Sequence, residues 1–178
     1  MRISDALVEK LLTTTNSVSA EQLKSLREQE ASEKKPLQDL VISSNIISEK
    51  DLTKLYAAEI DLPFVELTAK DFNHDVLRQI PERIARQYGV VLFGEQPDGS
   101  KLLAMEDPDD IQALNFLQKH LGNAIKVHVA THSAIQTALD QYRGNIGSEL
   151  TKIMSPDETE EPDNEEEISE DDLTEDSP

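Results

Sequence analysis

Two histidines four positions apart, His128 and His132, are the first pair in this chain whose types and spacing suit metal chemistry. On one helix that spacing would turn both rings to the same face. Here Ile125, Val127 and Val129 alternate as a half-buried strand, so the pair straddles a strand end and a helix start. No third ligand follows nearby. Glu106, Asp107, Asp109 and Asp110 could hold a cation by residue type. At the start of a helix, however, carboxylates are explained by the helix dipole that they complement. A phosphate cradle needs glycines, so that backbone N–H groups close on the phosphates, followed by Lys and Ser or Thr. The stretch from Gly144 to Lys152 has the wrong spacing and reads as a helix terminus. Ser, His and Asp are all present, but no nucleophile elbow frames them. There is no cysteine, hence no thiolate, no disulfide and no cysteine-based zinc site. The sequence thus assigns no catalytic, cofactor-binding or metal-ligating residue, and the chain is expected neither to bind nor to hydrolyse ATP.

What must such residues be mounted on? Of the 178 residues, the last twenty-four differ from the rest. Residues 155–178 hold thirteen of the Asp and Glu and no Lys or Arg, which leaves about −6 of the formal −19 charge for residues 1–154. This tail, with three prolines and almost nothing apolar, is expected to be disordered. The body is only mildly acidic and carries no basic stripe for nucleic acid. No run of eighteen apolar residues occurs and the N-terminus lacks the apolar stretch of a signal peptide. A cytoplasmic protein without a membrane span is the expectation.

Residues 7–30 and 36–59 read as one unit repeated at an offset of 29 positions. Leu11 and Leu12 fall on Leu40 and Val41, Asn16 on Asn45, Val18 on Ile47, Ser19 on Ser48, Leu23 on Leu52, and Glu30 on Glu59. Each unit is an apolar helical stretch, a turn through Asn, and a freshly capped helix. Ser19 and Ser48 suit N-caps, with Gln22 three residues on completing a capping box and Asp51 a weaker acidic version of one. Val18 before Ser19 pairs with Leu23, and Ile47 with Leu52, as hydrophobic staples. Neither unit can bury its apolar face alone, so the two are expected to pack together as a small helical bundle over residues 1–61.

After Pro63 the pattern changes to α+β. Pro81 opens a helix with Ile84, Ala85 and Tyr88 on one face, ended by Gly89. Val90–Phe93 and Lys101–Met105 read as strands joined through a loop containing Asp98-Gly99. Asp107-Pro108 reads as an N-cap with proline at the first helical position, followed by the face Ile111, Leu114, Leu117, Leu121 and a stop at Gly122. A strand over Ile125–Thr131 precedes a helix with Ser133 and Gln136 as a capping box, stopped at Gly144. The fold class is therefore α+β: a helical module over 1–61, a small sheet covered by helices over 62–146, and a frayed helix with the acidic linker over 147–178.

The order of these features resembles the N-terminal region of the cytoplasmic ATPases that power type II secretion and type IV pilus extension. Leu62-Pro63-Phe64-Val65-Glu66-Leu67, Ile80-Pro81-Glu82-Arg83-Ile84-Ala85-Arg86 and Leu103-Ala104-Met105-Glu106-Asp107-Pro108 carry the likeness. The resemblance implies a docking and regulatory domain that couples the motor to an inner-membrane platform or assembly protein, peripheral to that membrane through its partner. It implies an ATPase core C-terminal to this chain, through which alone a hexamer would form. In some members the helical repeat binds cyclic di-GMP, through Arg-Leu-Gly at each start, Gly at each turn and Gln near each end. Leu7-Val8-Glu9 and Pro36-Leu37-Gln38, Asn16 and Asn45, and Glu30 and Glu59 stand at those places here. The missing guanidinium groups and glycines argue against the nucleotide, which stays as the alternative function.

Overall fold

The computed structural model describes residues 3–122 and 124–154, with side chains through residue 143. The acidic tail expected to be disordered lies outside the described residues. Four helices come first: α1 (Asp5–Thr14), α2 (Ala20–Glu33), α3 (Leu37–Ser43) and α4 (Glu49–Glu59). α5 (His74–Leu77), α6 (Glu82–Tyr88), β1 (Val90–Glu95), β2 (Lys101–Met105), α7 (Ile111–Leu121), β3 (Ile125–Val129) and α8 (His132–Met154) follow. The architecture is α+β, as the sequence indicates.

The repeat is visible at both ends of its helices. Ser19 Oγ accepts from the Gln22 amide at 3.2 Å while Gln22 Oε1 accepts from the Ser19 amide at 2.9 Å, a complete capping box. Ser48 Oγ accepts from the Asp51 amide at 3.0 Å and donates to Asp51 Oδ2 at 2.7 Å. At the far ends, α1, α3 and α4 close alike. Asn16, Asn45 and Asp61 adopt the left-handed conformation, with φ of 51°, 53° and 56°. The next residue then donates back five positions: Ser17 to Leu12 O at 3.0 Å, Ile46 to Val41 O at 3.1 Å, Leu62 to Ala57 O at 3.0 Å. These are Schellman turns in which Asn or Asp replaces the usual glycine, a substitution their short polar side chains tolerate. Ser19→Ala and Ser48→Ala are each expected to cost about 0.5–2 kcal/mol in denaturant melts. Two silent variants would mean that these hydroxyls do not hold the helix starts.

β1 and β2 are antiparallel, with a register shift between Leu92 and Gly94 that leaves Phe93 unpaired. β2 and β3 are parallel, joined through α7, and the order is β1-β2-β3. Phe64 adds a short parallel bridge to Val129, with Val65 N donating to Val129 O at 2.9 Å and Val129 N to Pro63 O at 2.8 Å. Gly89 ends α6 at φ 58°, and a Cβ there would lie 3.1 Å from Glu106 Cδ, so both conformation and space call for glycine. Tyr142 OH donates to Leu77 O at 2.7 Å and Ile80 O at 2.9 Å, which ties α8 to α5, and burial pushes its phenol up to about 12.

Buried side chains form two clusters. One lies among the four helices around Val8, Leu12, Leu26, Leu37, Val41, Leu52 and Tyr56. The other lies between the sheet and its helices around Leu77, Ile80, Leu92, Leu103, Leu117, Ile135 and Leu139. Val129, the last residue of β3, is buried in the helical cluster, so the two are in contact.

Three expectations change. α7 starts at Ile111 with Asp110 as N-cap, its carboxylate accepting from the Ala113 amide at 2.9 Å, rather than at Pro108. Asp107 Oδ1 instead accepts from the Asp109 amide at 3.1 Å, closing a turn. α8 starts at His132, one residue before the expected cap, and Thr131 Oγ1 accepts from the Ala134 amide at 3.1 Å. It also runs through Gly144 to Met154. One glycine costs only about 1 kcal/mol relative to alanine, too little by itself to end a helix.

Candidate functional site

The residues that suggested chemistry at first sight are separated by the fold. His128, on β3, meets Phe93 edge-on at 5.1 Å, and its Nδ1 lies 3.2 Å from Lys126 O. His132, on α8, places Nδ1 2.9 Å from Glu106 Oε1, and the Glu106 side chain is 10% exposed. Asp107 closes its turn, Asp110 caps α7, and Asp109 Oδ2 accepts from Tyr56 OH at 3.2 Å. Among the described residues no three His, Cys, Asp or Glu side chains gather as a metal site would require.

The start, turn and end positions of the repeat form the second candidate. Val8 is fully buried and Leu37 likewise, so these starts face the core. The Leu37 amide donates to Asp5 Oδ1 at 3.0 Å. Gln38, 7% exposed, accepts from the Ile3 amide at 2.8 Å through Oε1. Glu9 and Glu30 are drawn together by Arg27, whose NH1 reaches Glu30 Oε2 at 2.7 Å and whose Nε reaches Glu9 Oε2 at 3.1 Å. These hydrogen bonds, to Glu30 first and Glu9 second, raise the guanidinium above its ordinary value. Lys10 pairs with Glu59, linking the first repeat to the end of the second. The ends of the repeat units are thus joined by protein ion pairs. Asn16 and Asn45 keep the left-handed backbone that a turn glycine would supply, but each adds a Cβ and a carboxamide.

A third arrangement lies where the four helices meet the α+β half. Tyr56 is deeply buried, and burial first, then the nearby Asp109 carboxylate, push its phenol well above its usual value. Lys50 Nζ lies 2.6 Å from Glu66 Oε1. Glu49 Oε2 accepts from Ser133 Oγ at 2.6 Å. Of these contacts only the Glu30–Arg27 spacing had a local signal, three positions along one helix. The others join residues more than a dozen positions apart, which no short window reveals.

On α7, two large apolar side chains stand among exposed polar ones such as Gln112, Asn115 and Lys119. Ile111 is 68% exposed and Phe116 39% exposed. The Phe116 ring lies 5.9 Å from Tyr88 and 6.0 Å from His120, a shallow aromatic patch at the junction of α6 and α7. Among the described residues no helix is long and apolar enough to cross a membrane.

The MshEN domain family matches residues 60–149. Over 145 residues the chain is 26% identical to the type IV pilus assembly ATPase PilB of Myxococcus xanthus, covering 82% of this chain and 25% of that protein. Over 132 residues it is 27% identical to the PilB of Thermus thermophilus, covering 70% of this chain and 15% of that protein. The chain thus spans a quarter or less of the length of these relatives. A solved structure of MshE with cdg (cyclic di-GMP) aligns at a TM-score of 0.61 and 26% identity, over 76% of this chain and 97% of that one. With the bridge at Phe64, the sheet, α5 to α7 and most of α8 inside the matched segment, this chain belongs to the MshEN domain family, an N-terminal domain of type IV pilus and type II secretion ATPases.

Proposed function

We propose that this chain is a non-catalytic docking and regulatory domain, which couples a cytoplasmic secretion or pilus-extension ATPase to its inner-membrane platform by protein–protein contact. The observation that supports this reading is the outward face of α7. Ile111 and Phe116, the latter beside Tyr88, are large apolar side chains left to solvent on a body in which most others are buried. Aromatic and aliphatic anchors of this kind carry most of the binding energy at protein interfaces. In this reading residues 1–61 and 62–146 form two modules of one docking body. ATP hydrolysis belongs to a core in the parent protein, and the domain reaches the membrane only through its partner. Binding of the parent ATPase to the cytoplasmic part of its platform protein provides the test. Ile111→Ser with Phe116→Ser is expected to weaken that binding roughly tenfold or more, with the fold retained. Unchanged affinity would remove α7 from the interface.

A second reading, a cyclic di-GMP sensor through the helical repeat, has two observations in its favour. The aligned structure of MshE is described with that nucleotide, and Asn16 and Asn45 preserve the backbone turns of the repeat.

A further inference from the structure

The first turn of α8 is held from two directions. Its own chain supplies Thr131, whose Oγ1 bonds the Ala134 amide. The four-helix half supplies Glu49, 84 residues away in sequence. Its Oε1 accepts from the Ser133 amide at 3.2 Å and its Oε2 from the Ser133 hydroxyl at 2.6 Å. Glu49 is also the first residue of α4. One carboxylate therefore stands at the N-terminal ends of two helices, where free amides and both dipoles favour negative charge.

The space around Glu49 matters as much as its bonds. It lines two open clefts, of about 290 Å³ and about 400 Å³. Phe64, Leu67 and Thr137 line the first, and Gln38, Ile42 and His132 the second. The side chain stands at the border of both clefts and has room beside it to turn into. Beside it the exposed ion pair of Lys50 with Glu66 also spans the halves, a contact of small worth, and the other contacts are elsewhere. Val129 is buried among the four helices, and Tyr56 reaches Asp109. Close packing around Val129 makes that point a pivot, whereas a carboxylate on an exposed serine makes a contact that opens without creating a cavity.

We propose that Glu49 is a latch that sets the angle between the four-helix half and the α+β half. With the carboxylate on Ser133, α4 is fastened to α8 and the two halves hold one orientation. With the carboxylate turned into a cleft, the four-helix half rocks about Val129 while both cores stay packed. This inference concerns the coupling of the halves and does not depend on the docking reading.

The chain has no cysteine, so spin labels can be placed at Lys24→Cys on α2 and Asp140→Cys on α8 without background. The distance distribution between them is expected to be narrow with Glu49 intact, broader in Glu49→Gln and broadest in Glu49→Ala. Amide hydrogen exchange at residues 133–135 is expected to rise about five- to thirtyfold in Glu49→Ala, as for a lost helix cap, with β1 and β2 unchanged. An unchanged distribution in a folded Glu49→Ala protein overturns the latch. Exchange that accelerates evenly over the whole chain also overturns it, since that would be a general loss of stability. Should Glu49→Ala not fold, the isosteric Glu49→Gln is read alone, and an unaltered distribution there overturns the proposal as well.

Discussion

Cyclic di-GMP titrated into this chain is expected to give no saturable heat at concentrations on the order of tens of micromolar. The family likeness and the residues point in opposite directions here, which makes the experiment decisive. A doubly anionic ligand needs cationic groups or free backbone amides close by. At the repeat starts this chain has Leu7 and Pro36, and proline has no N–H to donate. The next amide, of Leu37, is already bonded to Asp5, and the Gln38 side-chain oxygen, an acceptor, is taken by the Ile3 amide. Arg27 is near the repeat ends but is engaged by both Glu9 and Glu30. Each absent charge-assisted hydrogen bond removes about 1.5–3 kcal/mol, so the loss of three would erase most of the ~8 kcal/mol that micromolar binding represents. Asn16 and Asn45 preserve the turn conformation, yet their carboxamides offer the phosphates only neutral donors in place of charged ones. A one-site isotherm that weakens on Asn16→Ala or Asn45→Ala would make the nucleotide sensor the better reading and displace the docking module.

Leu12→Ala and Leu103→Ala should each lower the unfolding free energy by about 2–5 kcal/mol, the usual range for a fully buried leucine. Leu12 lies in the helical cluster and Leu103 in the sheet cluster, both without solvent exposure. The pair reports more than two cavities. Val129 belongs to β3 yet is buried among the four helices, and Pro63 and Val65 pair with it through the backbone. A change in either cluster should therefore be felt by both, and each variant should unfold in urea in one transition. Two separate transitions, with only the mutated half weakened, would show that the halves are independent and that Val129 joins them without coupling them.

Local chemistry was legible in the sequence because its partners are three to six residues apart. Ser19 and Ser48 are N-caps, as their hydroxyls and the residues three positions on imply. The two-strand hairpin through Asp98-Gly99 and the apolar faces of α6 and, apart from the exposed Ile111, of α7 follow from the same short-range patterning. Where a residue had two local uses, tertiary context chose between them. Asp107 has the form of a cap before Pro108, but the chain is still anchored to the sheet at that point. The Glu106 amide donates to Gly89 O at 3.1 Å, and the Glu106 side chain lies against His132. A turn must follow before α7 can start, so Asp107 closes the turn and Asp110 caps the helix.

By itself the sequence determined the repeat, the α+β class, the family likeness and the lack of a phosphate loop or thiol chemistry, since residue types and short spacings suffice for these. Only the tertiary structure decided that β3 lies parallel to β2, that Val129 is buried in the other half, that Arg27 draws Glu9 to Glu30, and that Glu49 caps a helix 84 residues away. The physical reason is common to all four. Such contacts are chosen by which apolar faces bury one another, and a side chain then bonds whatever that burial brings within reach.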